Sequence, residues 1–590
     1  MEVRAKAGRS EKRVNHSFLQ GALILTIGMA VVKLIGALFK IPLASILGTT
    51  GMGYFTAAYD LYNPLFTLAT AGFPVAIARM VSESVTRKRF RDVRKIHRVS
   101  IPTFALLGVV GFLLMMIGST FYANFVSSPG VKYPIWVLAP TILFACLMSI
   151  YRGYYEGMRN MTPIAVSEII EAVSKLIVGL TASYAVIQIG MSQYAATQTV
   201  FGIVCESEEA ASNAVLPFAA AGAILGITVG SIFGFLFLFL RYKRKGDGIT
   251  RQELISSPRP RSNRATVKAL IRIAIPVALG ALVINIATFI DSALIQRRIA
   301  DIMSSQPDIL LGLYPEVITP DKVDKAQTTL YGCYSMAMTL MMLIPAITQV
   351  FGISALPSVT AAWTEGSRRK IKKSIESVLR ITTLITIPAG LGIAVMAHPI
   401  AELLYLKSDN QADITVVGNV LSLLGFAGIF VAINTPICSM LQAIGRVDLP
   451  VKLMSIGVII KVVLNYTMVG IPEINIQGAG TGTLVCYAFI SISALYFLCK
   501  ETHILPNFIS VFVKPLIAAG LCAASAYVSY SLLSKFVLGG RISTIISLCI
   551  AVLVYVIALF CLRAISKDDV MMLPKGQKIA KILEKHRWIG

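Results

Sequence analysis

Long apolar runs, each roughly the length needed to cross a bilayer, alternate with short polar segments along the whole chain. A helix needs about 20 apolar residues to span the hydrocarbon. On that criterion about fourteen spans are predicted: Phe18–Leu47, Gly53–Glu83, Ser100–Val126, Tyr133–Glu156, Pro163–Ile187, Ala214–Tyr242, Thr266–Ile295, Thr328–Trp363, Ile375–Ala401, Ile414–Ala443, Pro450–Gly470, Gln477–Lys500, Ile509–Lys535 and Ile542–Arg563. The expected fold is an all-α polytopic membrane protein with two six-helix lobes plus two C-terminal helices. In that scheme 1–17 is a cytoplasmic tail, 18–242 an N-lobe, 243–265 a basic linker, 266–500 a C-lobe, 501–563 the last two helices and 564–590 a basic tail. The first apolar stretch is too long for the core of a cleaved signal and is expected to stay as a span.

A weak internal repeat supports two lobes. The second span contains TAGFPVAIARMVSES and the eighth GISALPSVTAAWTEG, placing Pro74 and Pro357 alike. YEGMRNMTP before the fifth span matches LQAIGRVDLP before the eleventh, so that Gly157, Arg159 and Pro163 correspond to Gly445, Arg446 and Pro450.

Composition agrees with a membrane protein: 56% of the 590 residues are hydrophobic and 14% charged, and mean hydropathy is +0.74. The net charge of +24 does not point to nucleic acid, because the basic residues sit in short segments between spans. Thr86–Arg98, Arg241–Arg264, Glu365–Lys373 and the tail from Arg563 all fall on one side. The positive-inside rule makes that side cytoplasmic, together with both termini, in a cell membrane. The nine cysteines contain no CxxC pair and the five histidines no metal-binding spacing. No enzyme site, cofactor or metal is expected: there is no GxxxxGK[ST] loop and no cytoplasmic carboxylate cluster.

Charges inside spans carry the functional reading, since each is costly in lipid and by default faces a polar cavity or a partner. Lys33 lies near the middle of the first span, while Lys40 can extend toward the interface. Asp60 and Arg79 lie in the second span, Glu168, Glu171 and Lys175 in the fifth, Asp291 in the seventh, and Lys461 followed by Asn465 in the eleventh. The spacing of Glu168, Glu171 and Lys175 puts them on one helical face, where Glu171 can pair with Lys175. The candidate binding residues are therefore Lys33, Asp60, Arg79, Glu171, Lys175, Asp291 and Lys461, gathered around an expected central cavity. Structural ion pairs or interfacial positions are the alternative role for each.

KLIGALFKIPLASILG and GYFTAAYDLYNPLFTLATAGFPVAIARMVSE, within Gly21–Ser84, resemble the start of the polysaccharide-biosynthesis branch of the MOP exporter superfamily, in particular its stage V sporulation and MurJ-type lipid II flippase members. The resemblance runs over both lobes. It implies transport of an undecaprenyl-diphosphate-linked saccharide, such as the peptidoglycan precursor lipid II, from inner to outer leaflet. Alternating access through a cationic cavity is implied, with the last two helices lining a groove for the lipid tail. By position Lys33 matches a cavity-lining basic residue of the family. Tyr54 and Thr67 stand where Gram-negative members carry an acid and an arginine, so those roles do not transfer and Lys175 and Lys461 become the expected sources of positive charge. The implied partners are the lipid-linked saccharide, membrane lipids, a coupling ion (Na+ or H+) and cell-wall synthesis proteins, with the chain acting as a monomer. The alternatives are a flippase for another lipid-linked polysaccharide or a sporulation paralogue, a MATE-type cation antiporter, and a non-transporting cell-wall scaffold.

The segregation of basic segments gives a direct test of topology. Single cysteines replacing Arg94 and Arg251 should react with membrane-impermeant thiol reagents from the cytoplasmic side only, and one replacing Glu208 from outside only.

Overall fold

The computed structural model describes residues 18–405, 411–536 and 540–564; the two terminal tails expected at 1–17 and 564–590 lie outside the described residues except for Ala564. The chain is built of helices: α1 (Phe18–Thr70), α2 (Gly72–Thr86), α3 (Phe90–Phe125), α4 (Lys132–Gly157), α5 (Thr162–Thr197), α6 (Glu208–Lys245), α7 (Arg251–Ile255), α8 (Asn263–Ser305), α9 (Pro307–Leu313), α10 (Ala326–Met341), α11 (Leu343–Thr364), α12 (Arg368–Val395), α13 (Ala397–Tyr405), α14 (Gln411–Ala443), α15 (Asp448–Met468), α16 (Ile476–Thr502), α17 (Lys514–Phe536) and α18 (Gly540–Cys561). A two-stranded antiparallel hairpin, β1 (Thr199–Val200) and β2 (Ile203–Val204), joins α5 to α6.

Among the described residues, eleven stretches are long and apolar enough to cross a membrane. The first of these, Gly28–Thr86, holds the first two expected spans, because Gly48 breaks the helix with φ 65° and ψ −174°. That backbone conformation is open to glycine and strained for other residues. With α5 and α8, of 36 and 43 residues, the fourteen expected spans are all helical. The chain is a multi-pass membrane protein.

Three expected spans are interrupted, and one physical cause serves for all three. Proline has no N–H to offer the carbonyl four residues earlier. The helices end at Thr70, Met341 and Val395, four residues before Pro74, Pro345 and Pro399. Proline alone does not force a break, since Pro102, Pro140 and Pro217 are carried inside unbroken α3, α4 and α6.

The chain forms two compact units. One comprises the described residues to Leu43 together with Tyr54–Phe289; the other comprises Ala44–Gly53 and the described residues from Ile290 onward. The division thus falls inside α8. The 243–265 segment is fastened to the first unit: Arg94 pairs with Asp247, Arg91 Nε donates to the Leu254 carbonyl at 2.9 Å, the Arg261 N–H donates to Asp92 Oδ1 at 2.8 Å, and Tyr154 donates to the Asp247 carbonyl at 2.7 Å. In the second unit α17 and α18 are tied to α12, where Tyr555 donates to the Leu384 carbonyl at 2.5 Å. Thr383 of α12 also donates to the Val511 carbonyl at 2.6 Å, in the short turn Ile509–Val513 that leads into α17. The two turns paired by the repeat each hold one left-handed residue, Arg159 (φ 56°) and Gly445 (φ 87°), one place apart in the register that matches Pro163 with Pro450.

The packing that matters most for the site is α5 on α6. In lipid, helices associate through close backbone approach rather than through a hydrophobic drive, so small residues mark their interfaces. Gly222, Gly226, Gly230 and Gly234 recur every four residues along α6. A Cβ on Gly226 would lie 2.4 Å from Gly179 N and 2.9 Å from the Lys175 carbonyl oxygen; one on Gly230 would lie 2.7 Å from the Glu171 carbonyl oxygen. Gly226→Leu should therefore sharply reduce the folded, monodisperse fraction extracted from membranes. Gly118→Leu on α3, where a Cβ meets nothing within 4 Å, should leave that fraction unchanged.

Candidate functional site

A cavity of about 230 Å³ opens in the first unit, lined by Val32, Ile35, Gly36, Phe39, Tyr59, Glu168, Glu171, Ala172, Lys175 and Ile227. The lining follows from helix periodicity. Positions 32, 35, 36 and 39 share one stripe of α1, and 168, 171, 172 and 175 share one stripe of α5. The glycines of α6 let it pack closely along α5 at Glu171 and Lys175, and Ile227 of α6 lines the cavity beside the charged stripe of α5.

Glu171 has both oxygens engaged. Arg152 Nη2 reaches its Oε2 at 3.0 Å, in a pair whose side chains are 16% and 22% exposed, and Ser231 donates to its Oε1 at 3.2 Å. Arg152 Nε also donates to Ser167 Oγ at 3.2 Å. The expected Glu171–Lys175 pair is therefore not formed: the arginine of α4 lies in line with the carboxylate and takes it in a charge-assisted bond. Lys175 turns instead to aromatic faces, with Nζ 4.8 Å from the centroid of Phe39 and 5.3 Å from that of Tyr59. Ring quadrupoles attract an ammonium without neutralising it. Among the described residues Lys175 makes no ion pair, although the Glu171 carboxylate four residues earlier acts on it electrostatically.

The other candidates of this unit fall around the cavity or away from it. Lys33 is exposed on α1, in a stripe with Gly36 and Lys40, and is not among the residues that line the cavity. Gly36, where a Cβ would meet nothing within 4 Å, leaves the space between the two lysines open. Asp60 is buried and interacts electrostatically with Lys40, which in turn feels Lys175. Glu168 lies in the lining itself. Arg79 is exposed on α2 and is not part of the lining.

Asp291 and Lys461 lie in the second unit and meet each other. Lys461 Nζ contacts Asp291 Oδ2 at 2.5 Å, and Asn465 donates its amide N–H to Asp291 Oδ1. Asn465 fits because residue 482 is glycine, whose added Cβ would overlap the Asn465 amide oxygen. Nearby Tyr334 shares a 3.0 Å hydrogen bond with Thr483. The expectation that Lys461 supplies free positive charge is corrected by this pair, since a buried ammonium beside a buried carboxylate is held by it.

Sequence reading missed Arg152, Phe39 and Tyr59. Arg152 stands in YRGYYEG at the end of the fourth span, where it reads as an interfacial residue; a basic residue a turn inside the last aromatic of a span was the available signal.

Comparison with known proteins adds the following. Residues 18–315 match the profile of the family described as Polysaccharide biosynthesis protein, and 331–467 match that described as MatE. The lipid II flippase MurJ of Bacillus subtilis (strain 168) is 22% identical over 487 residues, covering 80% of this chain and 81% of that protein. Stage V sporulation protein B of the same strain is 22% identical over 579 residues, covering 95% and 98%. Among solved structures, an inward-facing multidrug resistance MATE family transporter of the MOP superfamily superposes with a TM-score of 0.60 at 15% identity, covering 82% of this chain and 98% of that one. An inward closed lipid II flippase MurJ superposes with 0.56 at 15% identity, covering 92% and 98%. These likenesses establish the fold.

The Arg152–Glu171 pair yields a test by double-mutant cycle. Arg152→Met and Glu171→Gln should each lower the amount of folded protein in the membrane, whereas the combined variant should recover it, with a coupling of about 1 to 3 kcal/mol.

Proposed function

The chain belongs to the polysaccharide-biosynthesis family of the MOP exporter superfamily, and from that membership we propose that it is a flippase. Its cargo is an undecaprenyl-diphosphate-linked saccharide, most concretely the peptidoglycan precursor lipid II, carried from the inner to the outer leaflet by alternating access. The observation that carries this reading is the ammonium of Lys175, half-buried in the cavity, resting on the faces of Phe39 and Tyr59 and, among the described residues, in no ion pair. A diphosphate leaving water needs cationic donors. Lys175 offers one inside the cavity, and Lys33 and Lys40 stand on the same helix, α1, as the lining residues Val32, Ile35, Gly36 and Phe39.

Size fits a division of labour. Whole-ligand pockets run from about 300 to 1,000 Å³, so a cavity of about 230 Å³ suits the charged phosphoryl part while the glycan stays outside it. The lipid tail remains in the bilayer, and the apolar outward faces of α17 and α18, with Leu516, Leu521, Val552 and Val556 exposed, suit a tail groove. A potential negative inside favours outward movement of an anion by about 2.3 kcal/mol per charge per 100 mV, so the chain needs no nucleotide site. The name of one Bacillus relative, lipid II flippase MurJ, supports this cargo.

A second reading, export of an organic cation, is favoured by the same lining, since Glu168, Phe39 and Tyr59 are groups that hold cations. The two readings give opposite signs at one residue. If the cargo is an anion, Lys175→Met and Lys33→Ala should cut outer-leaflet headgroup exposure in flippase-depleted cells about tenfold or more at unchanged membrane abundance, and Lys33→Arg should retain part of the activity. Unchanged headgroup exposure in Lys175→Met, with altered efflux of a cationic dye, would transfer the assignment to the cation reading.

A further inference from the structure

Asp413 belongs neither to the cavity of the first unit nor to the Asp291–Lys461 pair. It stands in the first turn of α14 and is 1% exposed. Thr49 Oγ1 donates to its Oδ2 at 2.7 Å, while Oδ1 is buried and accepts no hydrogen bond. A carboxylate withdrawn from water with one neutral donor on one oxygen is poorly satisfied as an anion.

Thr49 follows the break at Gly48 and lies in the Ala44–Gly53 segment that packs within the second unit. The seat of this turn is tight. A Cβ on Gly332 would fall onto the Thr49 carbonyl and one on Gly53 onto that of Thr328, and the Thr50 and Thr329 hydroxyls meet at 2.8 Å. Among the described residues the groups that act on Asp413 are few. Lys322, of the short 3-10 turn Pro320–Lys325, acts on it electrostatically. Cys333 of α10 directs its thiol to the Asp413 backbone carbonyl at 4.0 Å. The Ala44–Gly53 segment has no titratable side chain, and His398 of α13 lies beside Gly418 and Asn419, more than a turn along α14.

We propose that Asp413 is a proton-binding site, exchanging a proton at Oδ1 with water, and that its occupancy sets how firmly the turn after Gly48 is seated. On uptake one O–H bond forms at Oδ1 and the carboxyl loses its charge. The Thr49 hydroxyl still donates to Oδ2, but the bond changes from charge-assisted to neutral, with roughly half its strength. With the basic segments on the cytoplasmic side, this end of α14 faces outward, so the proton comes from the outer medium.

The test is a pH-difference infrared spectrum of the full chain in lipid nanodiscs, without cargo, so that it stands apart from the flippase reading. Wild type should show a protonated-carboxyl carbonyl band on acidification that is missing from Asp413→Asn. Thr49→Val, which keeps the carboxyl, should keep the band at a shifted frequency. Amide exchange of residues 44–53, corrected for its intrinsic pH dependence, should speed up in acid for wild type and stay flat for Asp413→Asn. A band identical in wild type and Asp413→Asn, or one abolished by sodium at constant pH, would overturn the assignment, the latter in favour of a metal-cation site.

Discussion

The approach of α6 to α5 through four glycines is the constraint on which the candidate site rests. Lipid offers two apolar helices no gain from burying their side chains together, so tight association depends on backbone proximity and dispersion. With glycine at 222, 226, 230 and 234 the α6 backbone touches the carbonyls of Glu171, Lys175 and Ala182. This fixes the rotation of α5, and through it which side chains reach the cavity.

The two units treat buried charge in opposite ways. In the second, Asp291 is closed on both oxygens by Lys461 and Asn465. In the first, Arg152 and Ser231 satisfy Glu171 and thereby release Lys175, whose ammonium rests on two rings. Rings hold the lysine without competing strongly with an incoming phosphate, because a cation–π contact contributes about 0.5 to 2 kcal/mol against roughly 1.5 to 3 for a charged hydrogen bond. The protein can therefore pre-position the cation and still give it up to a ligand.

Much of the fold is legible in the sequence for a simple reason. Hydrocarbon thickness sets a length and the absence of water forbids irregular backbone within it, so the spans read directly from hydropathy. The prolines at 74, 345 and 399 also mark real breaks, though Pro102 and Pro140 show that the same residue can be carried in an intact helix. The site is less legible. Glu171 and Lys175 were visible as one stripe, and a pair between them was the local expectation, but the partner of a charge in a bundle is chosen across helices. Arg152 lies 19 residues from Glu171 and Asn465 lies 174 from Asp291, separations that no helical period encodes. Asp413 stood unnoticed at the edge of a span, where a first-turn acid reads as a helix cap.

The central claim is that the first unit binds a polyprenyl diphosphate through Lys175. Its most direct measurement is the thermal midpoint of the purified chain titrated with undecaprenyl diphosphate, beside undecaprenol as an uncharged control. A ligand that binds only the folded state raises the midpoint with concentration. The account predicts such a rise for wild type with the diphosphate, none with the alcohol, and none with the diphosphate for Lys175→Met. Equal rises for wild type and Lys175→Met, or equal rises with diphosphate and alcohol, would contradict it.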